Sequence, residues 1–122
     1  MEKQILVIDD EASVRKSFVL ALEETDFLVD TSASGEEGLE KLKTINYDLV
    51  YLDLKMPGMN GIETLREIRK RNKEVLVYIV TAFAKEFFQD LSALQKENIA
   101  FEILQKPLGM DQIEEITKSL LR

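Results

Sequence analysis

The sequence alternates short apolar runs with longer segments in which apolar residues recur every three or four positions. A short continuous apolar run is typical of a strand buried on both faces, whereas the wider spacing is typical of an amphipathic helix. The two patterns follow one another five times, with short connections between them. This alternation indicates a parallel sheet with helices on both faces and right-handed crossovers. We therefore predict a doubly wound α/β domain of five strands and five helices.

The predicted strands differ in how clearly the sequence marks them. The second is the weakest and is expected near an edge of the sheet, and the fourth is the clearest. The predicted strands cover residues 5–8, 27–31, 47–52, 75–80 and 100–104, and the predicted helices cover 12–25, 34–45, 62–72, 87–97 and 113–122. Ser34 and Glu37 fit a capping box at the start of the second helix, with Ser34 as the N-cap. Phe87 and Phe88 are expected in the core.

Composition excludes several kinds of protein chemistry. The 122 residues are expected to form one domain, 1–122, without an attached output domain. The sequence has no cysteine and no histidine, which excludes disulfides, thiolate or imidazole metal sites and catalysis by either side chain. The net charge of −7 argues against a nucleic-acid partner, because phosphate binding needs clustered positive charge. The basic segment 66–73 is interpreted as the solvated face of a helix.

The cellular compartment is also constrained by the apolar pattern. No apolar run approaches the roughly 18 to 20 residues that a membrane-spanning helix requires. The first residues lead directly into a predicted strand, without the pattern of a secretory signal. We therefore expect a cytoplasmic protein that does not act on membranes.

Polar residues follow four of the five predicted strands, where the apolar runs end. Asp9 and Asp10 follow the first strand, Asp53 the third, Thr81 the fourth and Lys106 the fifth. In a parallel sheet all the carboxyl ends of the strands lie along one edge, where ligands bind at a topological switch point. These distant positions are therefore predicted to converge in one shallow pocket with three carboxylates, a hydroxyl and an ammonium group.

The chemistry of this group of side chains favours phosphoryl transfer. Carboxylates that lie close together raise one another's pKa unless a cation neutralises them, and Mg²⁺ is the hard cation that suits such oxygen ligands. Two acids can hold the metal ion while Asp53 acts as the nucleophile. Thr81 and Lys106 can bind the incoming phosphoryl oxygens. The pattern is that of an aspartyl-phosphate site.

Each of these residues also has a purely structural interpretation. Asp9 and Asp10 are favoured types for a helix cap, and Thr81 is another. Asp53 could simply begin a loop, and Lys106 could be a surface charge before a proline. It is the joint placement of these residues at strand ends that favours the functional interpretation.

Four separated motifs resemble those of the response-regulator receiver family of two-component signalling. They span essentially the whole chain and comprise residues 7–11 (VIDDE), 52–61 (LDLKMPGMNG), 81–82 (TA) and 106–107 (KP). The resemblance implies a flavodoxin-like fold with the strand order 2-1-3-4-5. In this family the peptide bond before the proline is typically cis.

Carried over by position, the family pattern implies a Mg²⁺ site and a phosphoacceptor. Asp53 would accept a phosphoryl group from a histidine kinase or a phosphotransfer domain. Mg²⁺ would be bound by Asp10, by Asp53 and by the backbone carbonyl of Lys55, with Asp9 assisting through water.

The same pattern implies three further roles around the phosphoryl group. Lys106 would pair with that group, and Thr81 would turn to hydrogen-bond it. Ala82 resembles the small residue that leaves the phosphate room.

Two features depart from the family pattern. An aromatic residue usually stands three positions before the lysine, where this chain has Ile103, and Phe101 two positions earlier is expected to be buried. The spacing from Thr81 to Lys106 is also a few residues longer. Both departures concern the fourth helix and fifth strand, so the Thr–aromatic form of the switch is in question.

The predicted function is a phosphorylation-dependent signalling switch that is not an enzyme in its own right. Output is expected through contacts of the face formed by helix 4, strand 5 and helix 5, and the protein is expected to be a monomer or a weak, phosphorylation-dependent dimer. The first alternative is an adaptor that does not need phosphorylation. The second is a phosphatase with an aspartyl nucleophile, but such enzymes usually carry a second acid at the position of Lys55.

Overall fold

The structure, a computed structural model, describes residues 2–122 and contains one five-stranded sheet. All neighbouring strands are parallel, and their order is β2-β1-β3-β4-β5. The strands are β1 (Gln4–Ile8), β2 (Leu28–Ser32), β3 (Leu49–Leu52), β4 (Leu76–Thr81) and β5 (Glu102–Gln105). The helices are α1 (Ala12–Ala21), α2 (Gly35–Leu42), α3 (Gly61–Arg71), α4 (Phe88–Lys96) and α5 (Met110–Leu120). The predicted fold is confirmed, and β2 lies at an edge as expected.

Alternate residues of the central strands contribute to two separate cores. Leu6, Val50 and Ile79 pack beneath α2, α3 and α4 on one side of the sheet. Val7 and Tyr51 pack on the opposite side, against residues of α1 and α5. Burying an aliphatic or aromatic side chain of this size contributes about 1.5–3 kcal/mol. The two cores therefore hold the central strands from both faces, as the continuous apolar runs predicted.

Several element boundaries differ from the sequence-based prediction for local reasons. Helix α1 ends earlier than predicted, because the Thr25 hydroxyl donates to the carbonyl of Leu22 and accepts from the Phe27 N–H in a turn. Helix α5 begins three residues earlier, with Gly109 at its N-cap. Such side-chain bonds compete locally with helix continuation and are not visible in the apolar pattern.

Helices α2 and α3 each have a glutamate three residues after the N-cap, but its carboxylate accepts a hydrogen bond from a different residue in each helix. Ser34 accepts a hydrogen bond from the Glu37 N–H, as predicted, but the Glu37 carboxylate accepts from Ala33 rather than from Ser34. The reciprocal capping box is found instead at α3, between Asn60 and Glu63. This box fixes the start of α3 directly after the loop that carries Asp53.

The expectation that both Phe87 and Phe88 belong to the core is wrong for Phe88. Its side chain is 68% exposed, whereas Phe87 is partly buried against the core beneath α2, α3 and α4. The buried face of α4 is formed by Leu91 and Leu94, which lie four and seven residues after Phe87. Phe88 is rotated about 100° away from that line and therefore points outward.

Gly61 allows α3 to start in contact with the end of β3. Its N–H donates to the carbonyl of Leu54 at 2.8 Å. A Cβ atom at this position would lie 2.2 Å from the backbone oxygen of Asp53 and 2.7 Å from the Cα of Leu54. The backbone of Asp53 and Leu54 cannot yield as a flexible side chain would, so this contact positions the loop that follows β3.

We predict that Gly61→Ala destabilises the protein by about 1–3 kcal/mol, because the added methyl group overlaps the backbone at the end of β3. Chemical denaturation monitored by circular dichroism measures the change. Gly109→Ala is the matched control, since its Cβ would meet just one side-chain oxygen, Gln112 Oε1, at 3.5 Å. The free energy of unfolding of Gly109→Ala should fall by at most about 1 kcal/mol. Equal losses in the two variants would contradict the role assigned to Gly61.

Candidate functional site

The sheet register brings the carboxyl ends of four strands together. Ile8 of β1 pairs with Leu52 of β3, and the Asp53 N–H donates to the Ile8 carbonyl at 3.0 Å. On the other side, the Lys106 N–H donates to the carbonyl of Thr81 at 3.0 Å and extends the ladder between β4 and β5. The polar residues that follow the apolar runs therefore meet at one edge of the sheet.

Three aspartates form a compact cluster at this edge. Asp9, Asp10 and Asp53 each offer a carboxylate oxygen, and these oxygens lie within 4.8 Å of one another. Asp9 and Asp53 are 2% and 3% exposed, whereas Asp10 is exposed. The cluster thus has a closed inner side and one carboxylate that faces solvent.

The ammonium group of Lys106 reaches into this cluster from β5. Its Nζ lies 2.8 Å from Asp9 Oδ2, 3.5 Å from Asp53 Oδ1 and 3.9 Å from Glu11 Oε1. Burial alone would lower the pKa of Lys106, but the hydrogen bond to Asp9 and the charges of Asp53, Asp9 and Glu11 raise it overall. Lys106 is therefore held as a cation between two buried carboxylates.

Burial is the main influence on the ionisation of Asp53. It raises the pKa of this carboxyl, and the negative charge of Asp9 raises it further. The charge of Lys106 and the backbone N–H of Leu54 lower it, and the net pKa is about 6. Repulsion among the carboxylates, which the sequence predicts as the cause of a raised pKa, therefore contributes less to the pKa of Asp53 than desolvation does.

One oxygen of Asp53 has no hydrogen-bond donor. Oδ1 is buried and accepts no hydrogen bond from any group in residues 2–122, although Lys106 stands at ion-pair distance. An unpaired buried carboxylate oxygen is unfavourable unless a ligand supplies its partner. Hard oxygen donors in a cluster with a net negative charge are the set that Mg²⁺ takes in proteins. The residues present therefore fit a Mg²⁺ ion.

The loop that carries Asp53 is anchored on both sides of its exposed tip. Leu54 is fully buried and Met56 is 7% exposed. Lys55 stands between them on the surface, two residues after Asp53. Gly58 adopts a φ of 71°, the left-handed region that glycine enters without strain. The buried side chains of Leu54 and Met56 thereby anchor the backbone on both sides of Lys55.

Thr81 is the last residue of β4, and Ala82 follows it. Thr81 is fully buried, and its hydroxyl accepts a hydrogen bond from the Phe83 N–H at 3.0 Å. Thr81 is therefore not an N-cap, since α4 does not begin until Phe88. Ala82 is exposed and places no bulky side chain at the rim.

Two residues that depart from the expected pattern precede Lys106 in the chain: Ile103 lies on β5, and Phe101 lies just before that strand. Ile103 is 41% exposed on the outer surface of the sheet edge. Phe101 is partly buried, against the core beneath α2, α3 and α4. The peptide bond between Lys106 and Pro107 is cis. Ile103 therefore stands where the family usually has an aromatic residue, and the neighbouring aromatic, Phe101, packs against the core.

Sequence reasoning missed three residues near the cluster. Glu11 adds a fourth carboxylate within 3.9 Å of Lys106. Ser32, at the end of β2, is buried and its hydroxyl has no partner within the described part of the chain. Glu86 pairs with Lys55 across two loops at 3.2 Å. Glu11 and Ser32 carried a detectable signal, because both stand at or just after the end of a strand.

Comparison with known proteins identifies the family. A family model described as "Response regulator receiver domain" matches residues 5–118. The alkaline phosphatase synthesis transcriptional regulatory protein PhoP of Bacillus subtilis is 33% identical over 122 residues, which cover 100% of this chain and 50% of that protein. The transcriptional regulatory protein ResD of the same organism is 41% identical over 85 residues, or 70% of this chain and 35% of ResD. The chain thus spans half or less of the length of these curated relatives.

Solved structures agree with the sequence comparison. The chemotaxis protein CheY4 of Vibrio cholerae superimposes with a TM-score of 0.85 at 25% identity, covering 99% of this chain and 100% of CheY4. The response regulator TrrA of Thermotoga maritima, solved in complex with Mg²⁺-BeF, gives a TM-score of 0.81 at 39% identity, with 98% and 99% of the two chains covered. TrrA in complex with the histidine kinase ThkA gives 0.79 at 38% identity, with the same coverage. The chain therefore belongs to the response regulator receiver domain family of two-component signalling.

Proposed function

We propose that this receiver domain is a phosphoacceptor switch that takes a phosphoryl group on Asp53 from a histidine kinase or a phosphotransfer domain. The observation that carries the proposal is the buried Asp53 carboxylate, with one oxygen unpaired and the Lys106 ammonium 3.5 Å away. The complex of TrrA with a histidine kinase supports the class of donor.

The transfer uses Asp53 as the nucleophile. A carboxylate oxygen of Asp53 attacks phosphorus and forms a P–O bond, and the P–N bond to the donor imidazole breaks with its electron pair left on nitrogen. That imidazole nitrogen takes up a proton from solvent as the group leaves. Lys106 lies close enough to Asp53 to pair with a phosphoryl oxygen. Thr81 can hydrogen-bond another oxygen once its hydroxyl turns from the Phe83 N–H, and the exposed Ala82 leaves room for the group.

We further propose that the chain requires Mg²⁺ for this reaction. The cation would be held by Asp10, Asp53 and the backbone carbonyl of Lys55, with Asp9 in an assisting position. When bound, it neutralises the carboxylates and the transferring phosphoryl oxygens. Asp9 already accepts hydrogen bonds from Lys106 and from the Glu11 N–H, which suits an assisting role better than a direct one. The Mg²⁺-BeF complex of TrrA supports the choice of Mg²⁺ as the cation.

Output is proposed to pass through the face formed by α4, β5 and α5. Each of these elements presents a large apolar side chain to solvent: Phe88 is 68%, Ile103 41% and Met110 50% exposed. Exposed apolar side chains on all three elements favour a protein–protein contact surface. Since position 103 lacks an aromatic ring, we propose that the signal leaves through the loop after Thr81 rather than through an aromatic at that position.

The covalent step is tested by phosphorylation in vitro. Wild-type protein treated with Mg²⁺ and acetyl phosphate should gain the mass of one phosphoryl group, measured by intact mass spectrometry at neutral pH. Asp53→Ala should gain none, because no other aspartate is both unpaired and adjacent to Lys106 among the described residues. Asp111→Ala, at an exposed position in the first turn of α5, is the control and should behave like the wild type. Equal labelling of the wild type and Asp53→Ala would refute the assignment.

The raised pKa of Asp53 predicts a pH-dependent stability difference. The pKa of Asp53 is raised from 3.8 in the unfolded chain to about 6 in the folded protein, so the ionised carboxylate destabilises the folded state. This destabilisation is absent at pH values below the pKa of the unfolded chain and complete at pH values above the pKa of the folded protein. In Mg²⁺-free buffer at pH 7.5, Asp53→Asn should therefore unfold with a free energy about 1–3 kcal/mol higher than the wild type. The difference should fall towards zero near pH 4.

Urea denaturation across this pH range measures the free energy of unfolding of both proteins. Mg²⁺ should reduce the difference between them, because it stabilises the wild type more than Asp53→Asn. Asp26→Asn controls for the loss of one negative charge at an exposed position. A pH-independent difference between the wild type and Asp53→Asn, or an equal response of both to Mg²⁺, would contradict the proposed environment of Asp53.

A further inference from the structure

Lys55 connects the two loops that border the Asp53 site. Its Nζ lies 3.2 Å from Glu86 Oε2, 3.3 Å from Glu86 Oε1 and 4.6 Å from the centre of the Phe83 ring. Lys55 belongs to the loop after β3, whereas Glu86 and Phe83 belong to the loop between β4 and α4. We refer to Lys55, Phe83 and Glu86 together as the Lys55 latch.

Both partners of Lys55 lie on one turn that begins at Thr81. The Thr81 hydroxyl accepts from the Phe83 N–H, and the Phe83 carbonyl accepts from the N–H groups of Glu86 and Phe87. A contact that holds Phe83 and Glu86 therefore also holds the segment through which the Thr81 hydroxyl must turn. Because Lys55 lies two residues after Asp53, the latch connects the β4–α4 loop to the chain segment that carries the phosphoacceptor.

The strength of the latch suits a reversible contact. The side chains of Lys55 and Glu86 are 53% and 52% exposed, so solvent screens the ion pair and keeps its contribution small. A phosphoryl group carries close to two negative charges at neutral pH, against one on Glu86. A phosphoryl group on Asp53, two residues from Lys55, competes with Glu86 for the ammonium group.

We infer that Glu86 is a positioning residue that holds Lys55 and the β4–α4 loop in the unphosphorylated arrangement, and that phosphorylation of Asp53 releases this loop by drawing Lys55 away from Glu86. The inference rests on the proposed function and adds to it the element that sets the resting state. Glu86 acts through Lys55 and takes no part in the chemical step. Weakening the latch shifts the equilibrium towards the released arrangement before any phosphoryl group arrives.

The test compares binding of a phosphoryl mimic, beryllofluoride with Mg²⁺, by wild type and Glu86→Gln. Because the ligand no longer has to break the ion pair, Glu86→Gln should bind about 1.5- to 5-fold more tightly, as measured by isothermal titration calorimetry. In NMR spectra without ligand, the amide signals of Thr81 and Phe83 should shift part of the way from the free towards the bound positions of the wild type. A merely structural role of Glu86 would not move them along that line.

Two further variants separate the latch from a general charge effect. Glu97→Gln removes a comparable exposed ion pair, the one between Glu97 and Arg66 of α3, and should leave the affinity for beryllofluoride unchanged. In a Lys55→Met background, which keeps the backbone carbonyl, adding Glu86→Gln should produce no further gain. A gain of the same size in that background would show that Glu86 acts by its charge alone and would overturn the latch.

The outcomes for the latch and for the phosphoacceptor role are distinct. If wild-type protein binds beryllofluoride and Glu86→Gln binds it equally or more weakly, the latch is wrong and the proposed function stands. If the wild type fails to bind in the presence of Mg²⁺, both proposals fall.

Discussion

The ammonium group of Lys106 stands between two buried carboxylates, and the architecture of the whole edge depends on that ion triplet. Asp9 and Lys106 are 97 positions apart in the sequence, yet their side chains meet at 2.8 Å. Lys106 reaches this position because its backbone N–H continues the ladder from β5 to the carbonyl of Thr81. A slip of one residue in that register would turn Lys106 to the other face and leave Asp9 and Asp53 without a cation. Removing the Lys106 cation would leave two buried carboxylates without a counter-charge, which costs several kcal/mol, so the position of Lys106 and the sheet register stabilise each other.

The fold could be predicted from the sequence because burial of the central strands on both faces restricts which residues they can contain. A strand covered on both faces is expected to be apolar throughout, and the runs at 5–8 and 49–52 satisfy that condition. The boundaries of helices were predicted less well, because they depend on single hydrogen bonds. The turn at Thr25 and the N-cap at Gly109 leave no trace in the apolar spacing. The exposure of Phe88 was not predicted either, since an apolar residue next to the start of a helix can point towards the core or towards solvent.

The candidate site was predictable to the extent that its members interrupt or end apolar runs. Asp53 follows the fully buried strand β3 and Lys106 follows the edge strand β5, and their meeting was predictable because parallel strands end along the same edge of the sheet. The contact between Lys55 and Glu86 could not be predicted in this way, since both residues lie in loops whose relative positions follow from packing alone. The pKa of Asp53 illustrates a similar limit. The acidic neighbours were evident from the sequence, but the larger contribution of burial depends on how the folded chain surrounds Asp53.

The environment of Asp53 also bears on what kind of protein this receiver domain is. A phosphatase with an aspartyl nucleophile needs an acid–base group nearby, and the position that usually provides it holds Lys55, whose ammonium group is engaged by Glu86 and Phe83. A scaffold that acts through surface contacts alone has no use for a carboxylate that is 3% exposed, unpaired at one oxygen and raised in pKa to about 6. Locally unfavourable groups of this kind are expected where function requires them, because the surrounding fold must compensate for them. A buried carboxylate with one oxygen that accepts no hydrogen bond, held 3.5 Å from a lysine ammonium group, therefore favours the proposed group transfer over scaffolding.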